Sequence, residues 1–172
     1  MKILILSDRF PPESRGGAEK VAFNLVNGFK NKGHQVFVIT TTQEKKYNRI
    51  SPVFQNTGLK VFKIYVPYYH ERWKAYLSLY NSWAVRQVKE IIKQIKPDIV
   101  NAHNIHYYLS YHCLKIAKKS GAKVFLTAHD VMSFHYGKLV EFINEKSWAS
   151  YGRSNFNYKI TSLQQIKRFK KK

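Results

Sequence analysis

Apolar residues run without a polar break from Ile3 to Leu6, and the next apolar set, Ala18, Val21, Ala22, Leu25, Val26 and Phe29, recurs at the i, i+3, i+4, i+7 spacing of one helical face. Between them lies a turn-rich loop carrying Pro11, Pro12, Gly16 and Gly17. The pattern predicts a strand, a glycine loop and a helix. A strand this uniformly apolar suits a parallel sheet, where both faces are covered. Gly33 supplies a left-handed helix cap, and 35–41, rich in β-branched residues, reads as a second strand. Strand, helix and strand within about forty residues make a βαβ unit.

The polar stretch 43–58 reads as a loop, and 59–66 alternates as a third strand, expected at a sheet edge guarded by Lys60 and Lys63. A long helical pattern follows, with Trp73, Tyr76, Leu77, Tyr80, Trp83, Ala84, Val88, Ile91, Ile92 and Ile95 on one face up to Pro97. Its aromatic half is expected to pack on the sheet, the alternative being a surface for lipid or acceptor. Residues 98–102 form a fourth strand, 109–120 a helix ended by Gly121, and 123–128 a fifth strand. Strands alternating with helices imply an α/β fold, a doubly wound, Rossmann-like parallel sheet in one domain.

Composition narrows the partners. A chain of 172 residues that is 44% hydrophobic and 15% aromatic can bury one core and is too apolar to stay unfolded. Thirty Lys and Arg against ten Asp and Glu give a formal charge of +20, a field that favours nucleic acid, an anionic membrane or phosphorylated small molecules. The lone Cys113 forms no internal disulfide and fits a small buried hydrophobe. No stretch is long and apolar enough to span a bilayer, and a buried-strand pattern stands where a secretory leader would be, so a cytoplasmic location is expected.

In a doubly wound sheet, ligands bind beyond the carboxyl ends of the strands, where the strand order reverses. With the order 3-2-1-4-5, Gly16 and Gly17 after the first strand, His103 and Asn104 after the fourth, and His129 and Asp130 after the fifth share one rim. The glycines open a helix, whose N-terminal N–H groups suit a phosphate, although the pair is neither a dinucleotide fingerprint nor a P-loop. Zinc is a competing use for clustered histidines. The spacing of His103, His106 and His112 lacks a helical i, i+4 pair and a cysteine set, so no metal is expected.

The opening MKILILSDRFPPESRGGAEKVAFNLVNGFKNKGHQVFVITT, followed by KPDIVNAHN and FLTAHD, resembles the N-terminal domain of family 4 glycosyltransferases, retaining enzymes of the GT-B fold. The resemblance runs from Met1 to about Gly137. It implies two Rossmann-like domains facing a cleft, the N-terminal one receiving the acceptor and the C-terminal one holding a nucleotide-sugar. By position it makes Gly16 and Gly17 the donor-phosphate loop and His129 a catalytic-site contact to the sugar. His103, Asn104 and Asp130 fall on the acceptor side. It implies transfer of a sugar, of hexosyltransferase type, to an acceptor hydroxyl with retention. No cofactor is implied, because the nucleotide-sugar is a substrate.

Residues 1–150 thus read as the transferase N-terminal domain and 151–172 as a basic tail, helical or disordered. The family's paired glutamates and nucleotide-gripping basic residues have no counterpart here. The resemblance therefore implies a domain incomplete at its C-terminal end and inactive without a C-terminal donor-binding domain, supplied for instance by another chain. In the tail, Ile160, Leu163, Ile166 and Phe169 form an apolar stripe among lysines, a pattern able to lie on an anionic membrane at its inner face. The alternative function is a basic nucleic-acid-binding module. It explains the charge, but no helix-turn-helix, zinc-finger or RNA-sheet motif accompanies it.

Overall fold

Six strands form one sheet in the order β3-β4-β2-β1-β5-β6 in the computed structural model of the protein, which describes residues 1–14, 16–47, 52–54, 58–68 and 71–130. Strands β1 (Lys2–Ser7), β2 (Gln35–Thr42), β4 (Lys60–Tyr65), β5 (Ile99–His103) and β6 (Lys123–Thr127) pair in parallel. Of the six, β3 (Pro52–Phe54) alone runs antiparallel, along the outer side of β4. Helix α1 (Gly17–Asn31) joins β1 to β2, α2 (Glu71–Leu79) and α3 (Ser82–Ile95) lie between β4 and β5, and α4 (His112–Lys119) leads into β6.

The apolar run of β1 is buried on both faces because it is a central strand with helices packed on each side of the sheet. Ile3 and Ile5 face a core shared with Ala22 and Val26 of α1. Leu4 and Leu6 face a second core with Val88, Ile91 and Ile92 of α3 and Cys113 and Ala117 of α4. Each of the Ile, Leu and Val side chains among them, fully buried, contributes about 1.5–3 kcal/mol relative to exposure. With α1 on one face and α3 and α4 on the other, the winding reverses between β1 and β5. Cys113 lies wholly inside the second core, where burial pushes its thiol up to about 12, so it packs as a small hydrophobe.

Several boundaries differ from the periodicity. The single long helix is two helices, because Asn81 adopts an extended conformation and its Oδ1 accepts the Ala84 N–H at 3.4 Å, capping α3 afresh. The break resets the helical phase, so Trp73, Tyr76, Tyr80 and Trp83 are exposed and the aromatic half does not pack on the sheet as expected. Strand β4 is not an edge: β3, inside the expected loop, covers it, and Lys63 ion-pairs with Glu13. Lys60 sits 5.9 Å from the Phe37 ring centroid. Val21 of α1 is exposed, and Phe23 packs against the core in its place, beside the expected Phe29. Helix α4 begins at His112, leaving Leu109 buried in the loop before it.

The caps follow the sequence more closely. Gly33 (φ +78°) and Gly121 (φ +91°) take left-handed conformations, and Lys96 (φ 50°) ends α3 before Pro97. No described helix is long and apolar enough to cross a membrane. The expected basic tail, 151–172, and its apolar stripe lie outside the described residues.

Candidate functional site

Parallel pairing aligns the strand ends that carry the candidate residues. Ser7 of β1 stands opposite His103 of β5, and His103 stands opposite Thr127 of β6. The segments that follow these positions leave the sheet on its carboxyl side: Asp8 onward toward Gly16 and Gly17, Asn104 onward, and His129 with Asp130. The topology thus brings all six sequence-derived residues to the carboxyl edge around the reversal point.

Gly16 caps α1 in an extended conformation (φ −66°, ψ 169°), and neither it nor Gly17 has positive φ. A Cβ at Gly16 would run into the Glu19 carboxylate, which folds back over the first turn. A Cβ at Gly17 would meet nothing within 4 Å. The fold therefore has no steric or conformational need for glycine at 17, where backbone N–H groups and the positive helix end open outward. Glu19 offsets part of that positive end, so an incoming anion competes with a carboxylate the helix already carries.

His103 is fully buried, and its Nδ1 lies 2.9 Å from Nε2 of the half-buried His129, with ring centroids 5.2 Å apart and stacked. One nitrogen of the pair must donate and the other accept, so the contact needs at least one neutral ring. Burial, with the neighbouring His129, pulls His103 down to about 4, which keeps its ring neutral at ordinary pH. Its Nε2 has no hydrogen-bond partner among the described residues. The contact holds the two rings against each other across the ends of β5 and β6.

His106, buried in the loop directly after β5, places Nε2 3.8 Å from Asp130 Oδ2, and burial lowers its basicity against the opposing pull of Asp130. His112 instead packs edge-on to Tyr80, so His103, His106 and His112 do not converge. Among the described residues no three His, Cys, Asp or Glu side chains are grouped for a metal ion.

Periodicity did not single out Asp8, although it is the most connected residue at this edge. Its carboxylate accepts the N–H groups of Tyr107 (2.6 Å), Tyr108 (3.2 Å) and Leu109 (2.8 Å). Its carbonyl accepts Thr41 Oγ1 at 2.6 Å and the Thr41 N–H at 3.2 Å, and its own N–H donates to Asn104 O at 3.3 Å. Asp8 thereby ties β1 to the ends of β2 and β5 and shapes the loop in which Asn104 (φ 43°) and Ser110 (φ 82°) are left-handed. Complete burial outweighs these hydrogen bonds and the nearby Arg9, pushing the carboxyl up to about 7. The sequence signal was an acid directly after an apolar strand.

Beside Asp8 opens a cleft of about 320 Å³, lined by Arg9, Glu13, Thr42, Glu44, Val66 and Tyr108 among others. Charged groups of both signs share it with apolar surface: Glu13 pairs with Lys63 and Glu44 with Lys46. Such a lining suits a ligand with hydroxyl groups and an apolar side. These cleft residues were missed because they come from the ends of four separate strands, β1, β2, β4 and β5.

A Rossmann-like sheet with a glycine-opened helix, a histidine pair and a mixed cleft at its carboxyl edge defines the class as a doubly wound α/β domain. Residues 15–165 match the model of Glycosyltransferase Family 4. The chain is 29% identical over 154 residues to a phosphatidylinositol N-acetylglucosaminyltransferase subunit of Arabidopsis thaliana, covering 83% of this chain and 32% of that protein. It is 27% identical over 149 residues to an uncharacterized 42.6 kDa protein in the cps region of Klebsiella pneumoniae, covering 78% of this chain and 38% of that one. The chain belongs to glycosyltransferase family 4 and carries its N-terminal domain. It spans about a third of the length of these curated relatives.

Proposed function

We propose that this domain is the acceptor-side half of a retaining, GT-B-type glycosyltransferase, of hexosyltransferase type, that moves a sugar from a nucleotide-sugar to an acceptor hydroxyl. The observation that carries this reading is the 2.9 Å contact between His103 and His129 at the rim that Gly16 and Gly17 also approach. His129 hydrogen-bonds the transferred sugar, and neutral His103 holds its ring. Gly16 and Gly17 lend backbone N–H groups to the donor's phosphates, and the open space at Gly17 favours that close approach. Asn104 and Asp130 border the acceptor side, and the mixed cleft beside Asp8 receives the acceptor.

In this reading no metal or cofactor takes part: the N–H groups stabilise the departing phosphate, and the phosphate takes the acceptor's proton. Turnover requires a donor-binding domain facing this one, so the domain alone binds without transferring. The Arabidopsis relative's name includes phosphatidylinositol, which favours an acceptor carried by a lipid and a site of action at a membrane surface.

The test is titration of the isotope-labelled chain with a panel of nucleotide-sugars, followed by nuclear magnetic resonance. Amide shifts at Gly16 and Gly17 and imidazole shifts at His129 are expected without sugar release. Silence at those positions at millimolar ligand would refute the donor-side assignment. Sugar transfer or hydrolysis by the chain alone would refute the half-site. The +20 charge favours one second reading, a nucleic-acid-binding module. Salt-sensitive binding of RNA or DNA, without any response to nucleotide-sugars, would select it.

A further inference from the structure

Among the described residues, five of the nine exposed large hydrophobic side chains, Tyr68, Trp73, Tyr76, Tyr80 and Trp83, fall in the short span from the end of β4 to the first turn of α3. All five are Tyr or Trp, the side chains that settle at a membrane–water boundary, with an apolar body and one polar handle. The handle of Trp83 is already satisfied, because its Nε1–H donates to Tyr65 O at 2.8 Å. The exposed indole can therefore enter an apolar layer without leaving a donor unpaired. Trp73 and Tyr76 lie beside each other, with centroids 6.2 Å apart.

Cations continue from this aromatic end along the outward face of α3. Arg86 and Lys89 are exposed and line a groove of about 580 Å³ between α3 and α4, with Val85 and Ile116 as its apolar lining and Tyr80 at the aromatic end. One acid, Glu90, shares the groove and is paired with Lys93 at 3.0 Å. Aromatic rings beside cations, on a chain of formal charge +20, complement an anionic bilayer surface. The position is also apt: Val66, just past β4, and Tyr108, whose carbonyl accepts Asn81 Nδ2 at 2.7 Å, both line the mixed cleft. The aromatic segment thus borders the cleft rim.

We propose that the α2–α3 face docks this domain on an anionic lipid bilayer, with the Trp and Tyr rings in the interfacial layer and Arg86 and Lys89 against lipid phosphates. This orientation holds the cleft rim near the membrane surface. The usefulness of that arrangement rests on the lipid-borne acceptor proposed above, but the docking does not, since it is read with neither donor nor acceptor present.

The test is co-sedimentation of the chain with vesicles of phosphatidylglycerol and phosphatidylcholine, about 3:7, against phosphatidylcholine alone. Binding is expected to be strong on the anionic vesicles at low salt and to weaken at high salt. Paired substitution Trp73→Ser with Tyr76→Ser should weaken it roughly tenfold, and Arg86→Glu with Lys89→Glu roughly thirtyfold. Both pairs are exposed, and unchanged circular dichroism and melting temperatures check that the fold is kept. A second readout is quenching of tryptophan fluorescence by brominated lipid, reduced when Trp83 is replaced by Phe. Wild-type binding by both double variants would overturn the proposal, as would binding abolished by removal of 160–172 alone and retained by both helix variants. Retention on RNA with no affinity for vesicles would overturn it in favour of nucleic acid.

Discussion

Asp8 and Leu109 are joined by a 2.8 Å hydrogen bond from the Leu109 N–H to the Asp8 carboxylate, so the residue just after β1 shapes a loop about a hundred positions later. Tyr107 and Tyr108 donate to the same carboxylate, and all three donors lose their acceptor together if it is removed. Asp8→Ala should therefore destabilise the protein by about 3 kcal/mol or more, since each buried N–H left unpaired costs on the order of 1–3 kcal/mol. The shift of the urea denaturation midpoint measures it, and a loss within experimental error would mean that the loop holds itself.

Asp8 and His103 make opposite contributions to the pH dependence of stability. Asp8 is raised from 3.8 to about 7, so between those values the folded protein keeps a proton that the unfolded chain has released, and stability falls as pH rises. His103 is lowered from 6.5 to about 4, so in that window the unfolded chain holds the extra proton and stability rises with pH. The two slopes, each up to about 1.4 kcal/mol per pH unit, largely cancel between pH 4 and 6.5. Asp8→Asn should then expose a rising profile and His103→Gln a falling one, measured by denaturation across that range. Parallel profiles for the two variants would contradict the assignment.

Two glycines should respond differently to the same substitution. Gly33→Ala forces a side chain into φ +78° and should cost about 1 kcal/mol. Gly17→Ala has open space, ordinary φ and a helical position, so stability should hold or rise by a few tenths of a kcal/mol. If phosphate approaches there, the same change should weaken nucleotide-sugar binding roughly fivefold, the value of one hydrogen bond near 1 kcal/mol. Melting temperatures and the Gly16 amide titration separate the two effects.

Trp83→Phe keeps an aromatic ring at the start of α3 but removes the donor to Tyr65 O. A loss of about 1 kcal/mol is expected by thermal or chemical denaturation. A neutral result would show that water replaces the indole N–H at this carbonyl without cost.

Local pattern alone carried much of the architecture. The apolar run 3–6, the β-branched second strand and the alternation with amphipathic helices define the parallel sheet, because a strand covered on both faces leaves a one-dimensional signature. The caps at Gly33 and Gly121 were legible because backbone conformation is a property of the residue itself. Strand order then placed Gly16, Gly17, His103, Asn104, His129 and Asp130 at one edge, as topology requires.

Tertiary structure decided what depended on partners distant in the chain. Asn81 breaks the predicted long helix while its Nδ2 donates to Tyr108 O, a loop contact that no helical period contains, and the break turns four aromatic rings outward. Short β3 pairs with β4 although only three residues carry it. Asp8, ordinary in sequence, became the hub of the site because folding buried it where three N–H groups converge. The His103–His129 contact likewise exists only because β5 and β6 are neighbours, and its 2.9 Å length comes from the sheet that sets the two strand ends side by side.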